Sequence, residues 1–375
     1  MAAAVVRHGR DLRDGACVRG RNRVSASSVI VLSGAVAVAS WAGVALVRRY
    51  ALQRLIDLPN ERSSHSQPTP RGGGLALTFA HLLGVAAAMQ LGLLAPAIAI
   101  ALIGGGALVA VIGFLDDHGH VAASLRLLCH FLALSWAVWW LGGLPPVDFG
   151  WGAVDLGWTG TALMVLYCAW FLNLFNFMDG IDGIAGAQAL SMSVTAAFLL
   201  LLVTGSERNA LPLAMLACAT AGFLAWNWPP ARIFMGDVGS GYLGYALGAL
   251  AIWTVAQGWL TPWVWVILGG TFLADATVTL FVRARSRMAV AEAHRSHAYQ
   301  RLSRHLGSHK PVTLAFAAIN VFWLGPWALV ATHWPQHAAA CAVIAVSPLF
   351  VAASRLGAGR EGEIAAGRVQ GSATD

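Results

Sequence analysis

The segment Asn173-Leu-Phe-Asn176-Phe-Met-Asp179-Gly180-Ile181-Asp182-Gly183-Ile-Ala-Gly186 decides how the rest of the chain is read. It joins two long apolar runs, yet Asn173, Asn176, Asp179 and Asp182 recur at every third position, and Gly180, Gly183 and Gly186 keep the same step. Amides and carboxylates at a membrane edge are costly to place and point to function. Glycines beside them let backbone approach a ligand closely. Helix caps alone require one or two such residues. On an α-helix a step of three falls about 60° short of a full turn, so the four polar residues sweep about half the circumference. The pattern therefore reads as a wall. Asn173 and Asn176 face the bundle interior, and Asp179 and Asp182 turn away where the helix loosens at Gly180 and Gly183.

Working outward, the 375 residues are 58% hydrophobic and 11% charged, and the mean hydropathy is +0.66. A soluble globular domain is excluded. Apolar runs of about 20 residues recur along the chain, each long enough to cross the hydrocarbon core, and the alternation of a closed β-barrel is absent. The formal charge of +7 is explained by Arg in loops on one side of a membrane, so no nucleic acid is expected as a partner. The five scattered cysteines form no C-x-x-C pair and read as small buried hydrophobes.

These runs predict an all-α, polytopic transmembrane helical bundle of about eleven spans. They fall near 28–47, 75–95, 97–115, 127–144, 158–176, 184–204, 210–228, 240–258, 261–282, 311–331 and 337–354. The domain plan is a polar, Arg-rich segment (1–27), an integral membrane domain (28–355) and a tail (356–375). Every motif-like segment is separated from the next by two spans. Segments 57–74, 116–126, 176–183, 229–239 and 283–310 therefore share one side, which beyond residue 47 collects every Lys and Arg except Arg208. Positive-inside places that side and the C-terminus in the cytoplasm. The N-terminus, with six Arg on the opposite side, breaks the pattern. A start near Val18 or Val24 would remove most of that charge, and N-terminal sequencing that begins at Met1 excludes such a start.

Asp116-Asp117 closes the third span, followed by His118, His120 and Arg126. Adjacent carboxylates repel, and acidic groups at a helix C-terminus oppose the macrodipole, so the pair suits metal or proton handling. Asn227-Trp-Pro-Pro-Ala-Arg-Ile-Phe234-Met-Gly-Asp237-Val-Gly-Ser-Gly opens the next helix with glycines beside an acid. A helix start of this kind favours phosphate, and Asp237 is a hard-metal ligand candidate. The loop 283–310 is rich in Arg and His, including His294-Arg295-Ser-His297. It lacks the Glu of the H-E-x-x-H zinc pattern and fits a cationic phosphate cradle on an interfacial helix. Together these groups suit a magnesium–diphosphate substrate and phosphoryl transfer.

At these residues the chain resembles the polyprenyl-phosphate N-acetylhexosamine-1-phosphate transferases (glycosyltransferase family 4), which include phospho-N-acetylmuramoyl-pentapeptide transferase. The motifs are Asp57-x-Pro-Asn with Pro-x-Pro-x-Gly-Gly, Asp116-Asp117, Asn173-x-x-Asn-x-x-Asp-Gly-Ile-Asp-Gly, Phe234-Met-Gly-Asp-x-Gly-Ser240 and the His-rich last loop. The resemblance implies that a polyprenyl (undecaprenyl) phosphate attacks the β-phosphorus of a UDP-N-acetylhexosamine and releases UMP at a cytoplasmic face of the inner (plasma) membrane. It implies Mg2+, with Mn2+ as a substitute, on Asn176 and Asp237. Asp116 and Asp117 would position or deprotonate the lipid phosphate. Asn173, Asp179, Gly180, Ile181, Asp182 and Asn227 would border the donor, Phe234 would stack on uracil, and His294, Arg295 and His297 would hold the diphosphate or sugar. A homodimer is a family-level expectation. His294-Arg-Ser-His-Ala-Tyr-Gln300 departs from the three consecutive histidines of the peptidoglycan branch and is similar to the O-antigen and surface-polysaccharide branch. The donor is thereby left open among UDP-N-acetylglucosamine and deoxy sugars such as N-acetylfucosamine or N-acetylquinovosamine. The alternatives are a secondary transporter, which would carry its charges inside spans, and a non-catalytic polyprenyl-phosphate-binding protein.

Overall fold

Apolar runs flanked by polar loops fold as helices here because every backbone N–H and C=O inside a bilayer must be satisfied within its own segment. The computed structural model describes residues 26–58, 67–119, 121–288 and 294–360. Most of the N-terminal Arg-rich segment, Pro59 and Asn60 of the Asp57 motif, His65, His120 and most of the C-terminal tail lie outside the described residues.

Fourteen α-helices follow in order: α1 (Ala26–Arg54), α2 (Gly74–Gln90), α3 (Pro96–His118), α4 (Ala123–Leu141), α5 (Gly157–Phe177), α6 (Ile184–Thr204), α7 (Glu207–Asn227), α8 (Asp237–Ala256), α9 (Pro262–Leu268), α10 (Gly270–Arg285), α11 (Ala298–Leu306), α12 (His309–Ile319), α13 (Gly325–His333) and α14 (Ala338–Arg355). A π-helical turn, Asn320–Leu324, joins α12 to α13. Two short antiparallel ladders interrupt the all-α plan: β1 (Ile56–Asp57) pairs with β2 (Thr69–Pro70), and β3 (Val147–Asp148) with β4 (Ala153–Val154). The second is a small hairpin in the connection between α4 and α5. Trp263 Nε1 donates to Asp148 O at 2.8 Å and anchors it.

The expectation of eleven spans is not reached by length and composition. Among the described residues nine helices are long and apolar enough to cross, or ten if α9 and α10 count as one broken span. α2, at 17 residues, is about 25 Å long, short of the roughly 30 Å hydrocarbon core. The run 261–282, read as one helix, is bent by 77° between α9 and α10. Gln188 satisfies the break: its Nε2 donates to Leu268 O (3.1 Å) and its Oε1 accepts from Thr271 Oγ1 (2.8 Å).

α8 is the hub. Its most apolar 18-residue window is wholly buried, and α2, α3, α4 and α5 pack around it. Glycines permit the close approach. A Cβ at Gly113 on α3 would stand 2.7 Å from Asp237 O, and one at Gly244 on α8 would stand 2.8 Å from the Leu172 Cα on α5. These contacts bring the C-terminal ends of α3 and α5 against the N-terminal end of α8, so Asp117, Asn176 and Asp237 meet at one end of the bundle.

Candidate active site

α8 begins at Asp237, and its first backbone N–H groups lack partners within their own helix. Asp117, from α3, supplies them: its Oδ1 accepts from Asp237 N (3.0 Å) and its Oδ2 from Val238 N (3.2 Å). The negative charge also matches the positive end of the α8 dipole. Gly236 makes this possible with φ 79° and no side chain, since a Cβ there would lie 2.6 Å from Asp117 Oδ2. Asp117 is 3% exposed, and Arg71 Nη2 donates to its carbonyl oxygen at 2.6 Å. Arg71 is delivered by the Pro70–Gly74 stretch, which pairs with the residues before α8: Phe234 N donates to Pro70 O (2.8 Å), Gly73 N to Phe234 O (2.9 Å) and Gly74 N to Met235 O (2.9 Å).

Asp237 itself stays accessible, with its side chain 35% exposed. Asn176 Nδ2, from the last turn of α5, donates to Asp237 Oδ1 (2.8 Å) and to Ser240 Oγ (3.0 Å). Arg126 on α4 bridges the acidic groups. Its Nη1 donates to Asp116 Oδ2 and lies 3.6 Å from Asp237 Oδ2. Val121 N donates to the other Asp116 oxygen at 2.9 Å. The expected pair is thus split: Asp117 is consumed by the α8 backbone, whereas Asp116 faces Arg126 beside Asp237.

The opening motif divides at the end of α5, with Asn173 and Asn176 on the helix and Asp179 and Asp182 beyond it. α5 ends at Phe177, Asp179 to Gly183 form a turn, and α6 starts after Gly183, whose φ is 75°. The helix therefore stops before Gly180 rather than at it. Asn173 turns to its own helix, donating to Ala169 O at 2.7 Å. Asp179 is half-buried, and no hydrogen bond to its carboxylate is formed among the described residues. Burial, then the charges of Asp237, Asp117 and Asp182, push its pKa well above the usual carboxylate range. Ile181 is buried. Asp182 is tied up: Oδ2 accepts from Ala231 N (3.0 Å), Oδ1 lies 3.2 Å from His309 Nδ1, and Asp182 O accepts from Thr313 Oγ1 (2.8 Å). Asn227, 3% exposed, accepts from Gly183 N (3.0 Å) and donates to Ile233 O (2.9 Å). Both ends of its amide hold loops, so it shapes the site rather than facing it. Phe234 and Asp182 line a polar cavity of about 580 Å³ with Pro229, Arg304, His309 and Lys310.

In the His-rich segment, Arg295 is exposed, His294 half-buried and His297 2% exposed. The two imidazoles stack at 5.0 Å. Burial, then His297 and Arg283, push His294 down to about 4, so at neutral pH it is an uncharged hydrogen-bonding ring and not a cation. His297 Nδ1 lies 3.3 Å from Asp275 Oδ1. Sequence reasoning passed over Asp275. Its signal was available, as it is the one acidic residue in the run 261–282, and such residues default to function. Arg71 and His309 carried no comparable signal.

A second cavity, about 720 Å³, is mostly apolar. Its walls come from α3, α4, α5 and α10, with Leu127, Phe131, Leu166 and Trp170 among them, and Arg126, Asn173, Asn176 and Asp237 also line it. Among the described residues no three His, Cys, Asp or Glu side chains gather as a metal cage. Mg2+ does not require one, since it binds through one or two carboxylates with waters and phosphate oxygens.

The model of glycosyl transferase family 4 matches residues 99–255. A probable undecaprenyl-phosphate N-acetylglucosaminyl 1-phosphate transferase of Bacillus subtilis is 30% identical over 285 residues, covering 73% of this chain and 77% of the relative. A decaprenyl-phosphate N-acetylglucosaminephosphotransferase of Mycolicibacterium smegmatis is 29% identical over 332 residues, covering 76% and 75%. A phospho-N-acetylmuramoyl-pentapeptide-transferase of Moorella thermoacetica is 37% identical over 145 residues, covering 37% and 42%.

Proposed function

The chain belongs to glycosyl transferase family 4, and from its membership as a multi-pass sugar-1-phosphate transferase we propose the following reaction. An undecaprenyl phosphate oxygen attacks the β-phosphorus of a UDP-N-acetylhexosamine. The bond from that phosphorus to the oxygen bridging the two phosphates breaks, UMP leaves, and a polyprenyl-diphosphate sugar forms. UDP-N-acetylglucosamine is the first donor to test, given the names of the relatives. The product would start O-antigen or another surface polysaccharide at the cytoplasmic face of the inner membrane, a siting supported by the Arg-rich loops on the same end of the bundle as the site.

The observation that carries this reading is the end of the apolar cavity. An apolar chain entering between α3, α4, α5 and α10 would bring its phosphate to Arg126 beside Asp237 and Asn176. Residues 173–182 and 229–241 wall both this cavity and the polar one, so acceptor and donor approach the same two stretches. Phe234 supplies a stacking face for uracil in the polar cavity.

The donor set fits Mg2+: Asp237 is partly exposed, Asn176 offers an amide oxygen, and both are hard oxygen ligands. When bound, the ion would neutralise charge on the diphosphate. The remaining work falls to the chain. Arg126 holds Asp116 and offsets the charge of Asp237. Asp117 fixes where α8 starts and therefore where Asp237 points. The acceptor needs little deprotonation, because a phosphate monoester with a second pKa of about 6 is largely dianionic at pH 7. Membranes carrying the protein, undecaprenyl phosphate and a panel of UDP-sugars should release UMP only with Mg2+ or Mn2+. Absence of UMP with every donor would refute the proposal.

A further inference from the structure

We infer that Asp275 is a positioning residue for donor transfer: one buried carboxylate on α10 sets the His294–His297 segment and, through Tyr299, the Asp179–Asp182 turn. The inference rests on the sugar-1-phosphate transferase reading and adds to it a residue that touches neither substrate.

The geometry begins with the first turn of α11, whose leading N–H groups have no partner inside the helix. Asp275, 2% exposed, accepts Ala298 N at Oδ1 (2.9 Å) and Tyr299 N at Oδ2 (2.8 Å). The same Oδ1 lies 3.3 Å from His297 Nδ1 and accepts Thr279 Oγ1 at 3.1 Å. Both oxygens are thus spent on groups that anchor the loop, and the Oδ1 contact to Nδ1 fixes the orientation of the His297 ring. An apolar residue at 275 would suit the span better, so the carboxylate has its use in the loop. α11 has nine residues, too few to hold its own shape in water.

From α11 the chain of contacts reaches the site. Tyr299 is fully buried, and its Oη donates to Phe177 O (3.1 Å), an orphan carbonyl at the end of α5. Gly180 packs directly on this hydroxyl, leaving no room there for a Cβ, which would also stand 2.8 Å from Gln300 Nε2. The turn that carries Asp179 therefore rests on α11, and α11 rests on Asp275. A second brace is independent: Arg301 Nε donates to Leu356 O (2.9 Å) and Gly359 N to Ser296 O (2.8 Å). Loss of the Asp275 contacts should accordingly shift α11 without releasing it.

The test compares Asp275→Ala, Asp275→Asn and Tyr299→Phe in the purified full-length protein. In Asp275→Ala, displacement of the donor-facing elements should raise the KM for the UDP-sugar about tenfold or more, leaving the KM for undecaprenyl phosphate unchanged. Asp275→Asn keeps one acceptor oxygen but turns an NH2 donor toward the N–H that the other oxygen accepts, so it should recover only part of the loss. Tyr299→Phe removes only the link to Phe177 and should raise the donor KM by a smaller factor. Amide exchange by mass spectrometry supplies a readout that needs no turnover: in Asp275→Ala and Tyr299→Phe, residues 178–183 should lose protection, joined in Asp275→Ala by 298–300. Exchange that changes only at 298–300, or donor and acceptor KM values that rise together, would overturn the inference. A wild-type protein without UMP release, yet with the coupled exchange, would refute the reaction and leave the coupling standing.

Discussion

The two cavities differ in what they offer a ligand. The polar one, beyond Asp182, is ringed by Phe234, Arg304, His309 and Lys310, groups that give direction-dependent bonds and a stacking face. The apolar one, between α3, α4, α5 and α10, offers shape and little else until it ends at Arg126, Asn176 and Asp237. A prenyl chain leaving lipid for such a groove gains little hydrophobic free energy, because lipid tails are as apolar as the cavity wall. Discrimination should therefore be concentrated in the polar cavity and at the junction, while the groove tolerates change.

The junction gives the sharpest way to break this comparison. Asp237→Asn should cut UMP release about a thousandfold while the protein still retains undecaprenyl phosphate in native mass spectrometry; equal loss of both would erase the distinction between groove and junction. Next in size, Phe234→Ala should raise the donor KM about tenfold, the scale of one lost base–aromatic stack, with the acceptor KM unchanged in the same assay. Asn176→Ala and Asp179→Asn should then fail differently, the first by raising the Mg2+ concentration for half-maximal rate several-fold and the second by weakening the donor. Identical kinetic defects would count against the division of the wall. In the groove, Trp170→Ala should change the acceptor KM only about twofold to threefold.

The smallest effect is on stability. Asp179 has a folded pKa raised above its unfolded value through burial and the nearby carboxylates. Its contribution is fully present below the unfolded pKa, near 4, and is lost as pH rises through the folded value. Asp179→Asn should therefore gain thermal stability over the wild type as pH rises from 5 to 8, by a few degrees in detergent. A difference that stays flat with pH would show that the carboxylate is stabilised by its surroundings instead.

Much of this was legible in the sequence. Apolar length, and Asn and Asp at the ends of those runs, are local properties, and they located the helices and the end of the bundle where the polar segments meet. The span 261–282 was misread as continuous because the 77° bend depends on Gln188, some 80 residues earlier, to satisfy Leu268 O. α2 was read as longer than its 17 residues because its apolar run continues past the point where the chain turns at Gly92.

By itself the sequence determined a membrane-spanning helical chain with its chemistry gathered at one end, because the cost of charge in hydrocarbon acts on each residue separately. It also determined which carboxylates were available. Only the tertiary structure decided what each one does. Asp117 and Asp182 are spent on backbone N–H groups of α8 and of the loop before it. Asp275 caps α11, and Asp237 is left open between Asn176 and Arg126. A carboxylate's role follows from the donors around it, and those donors come from segments more than 100 residues away in the chain.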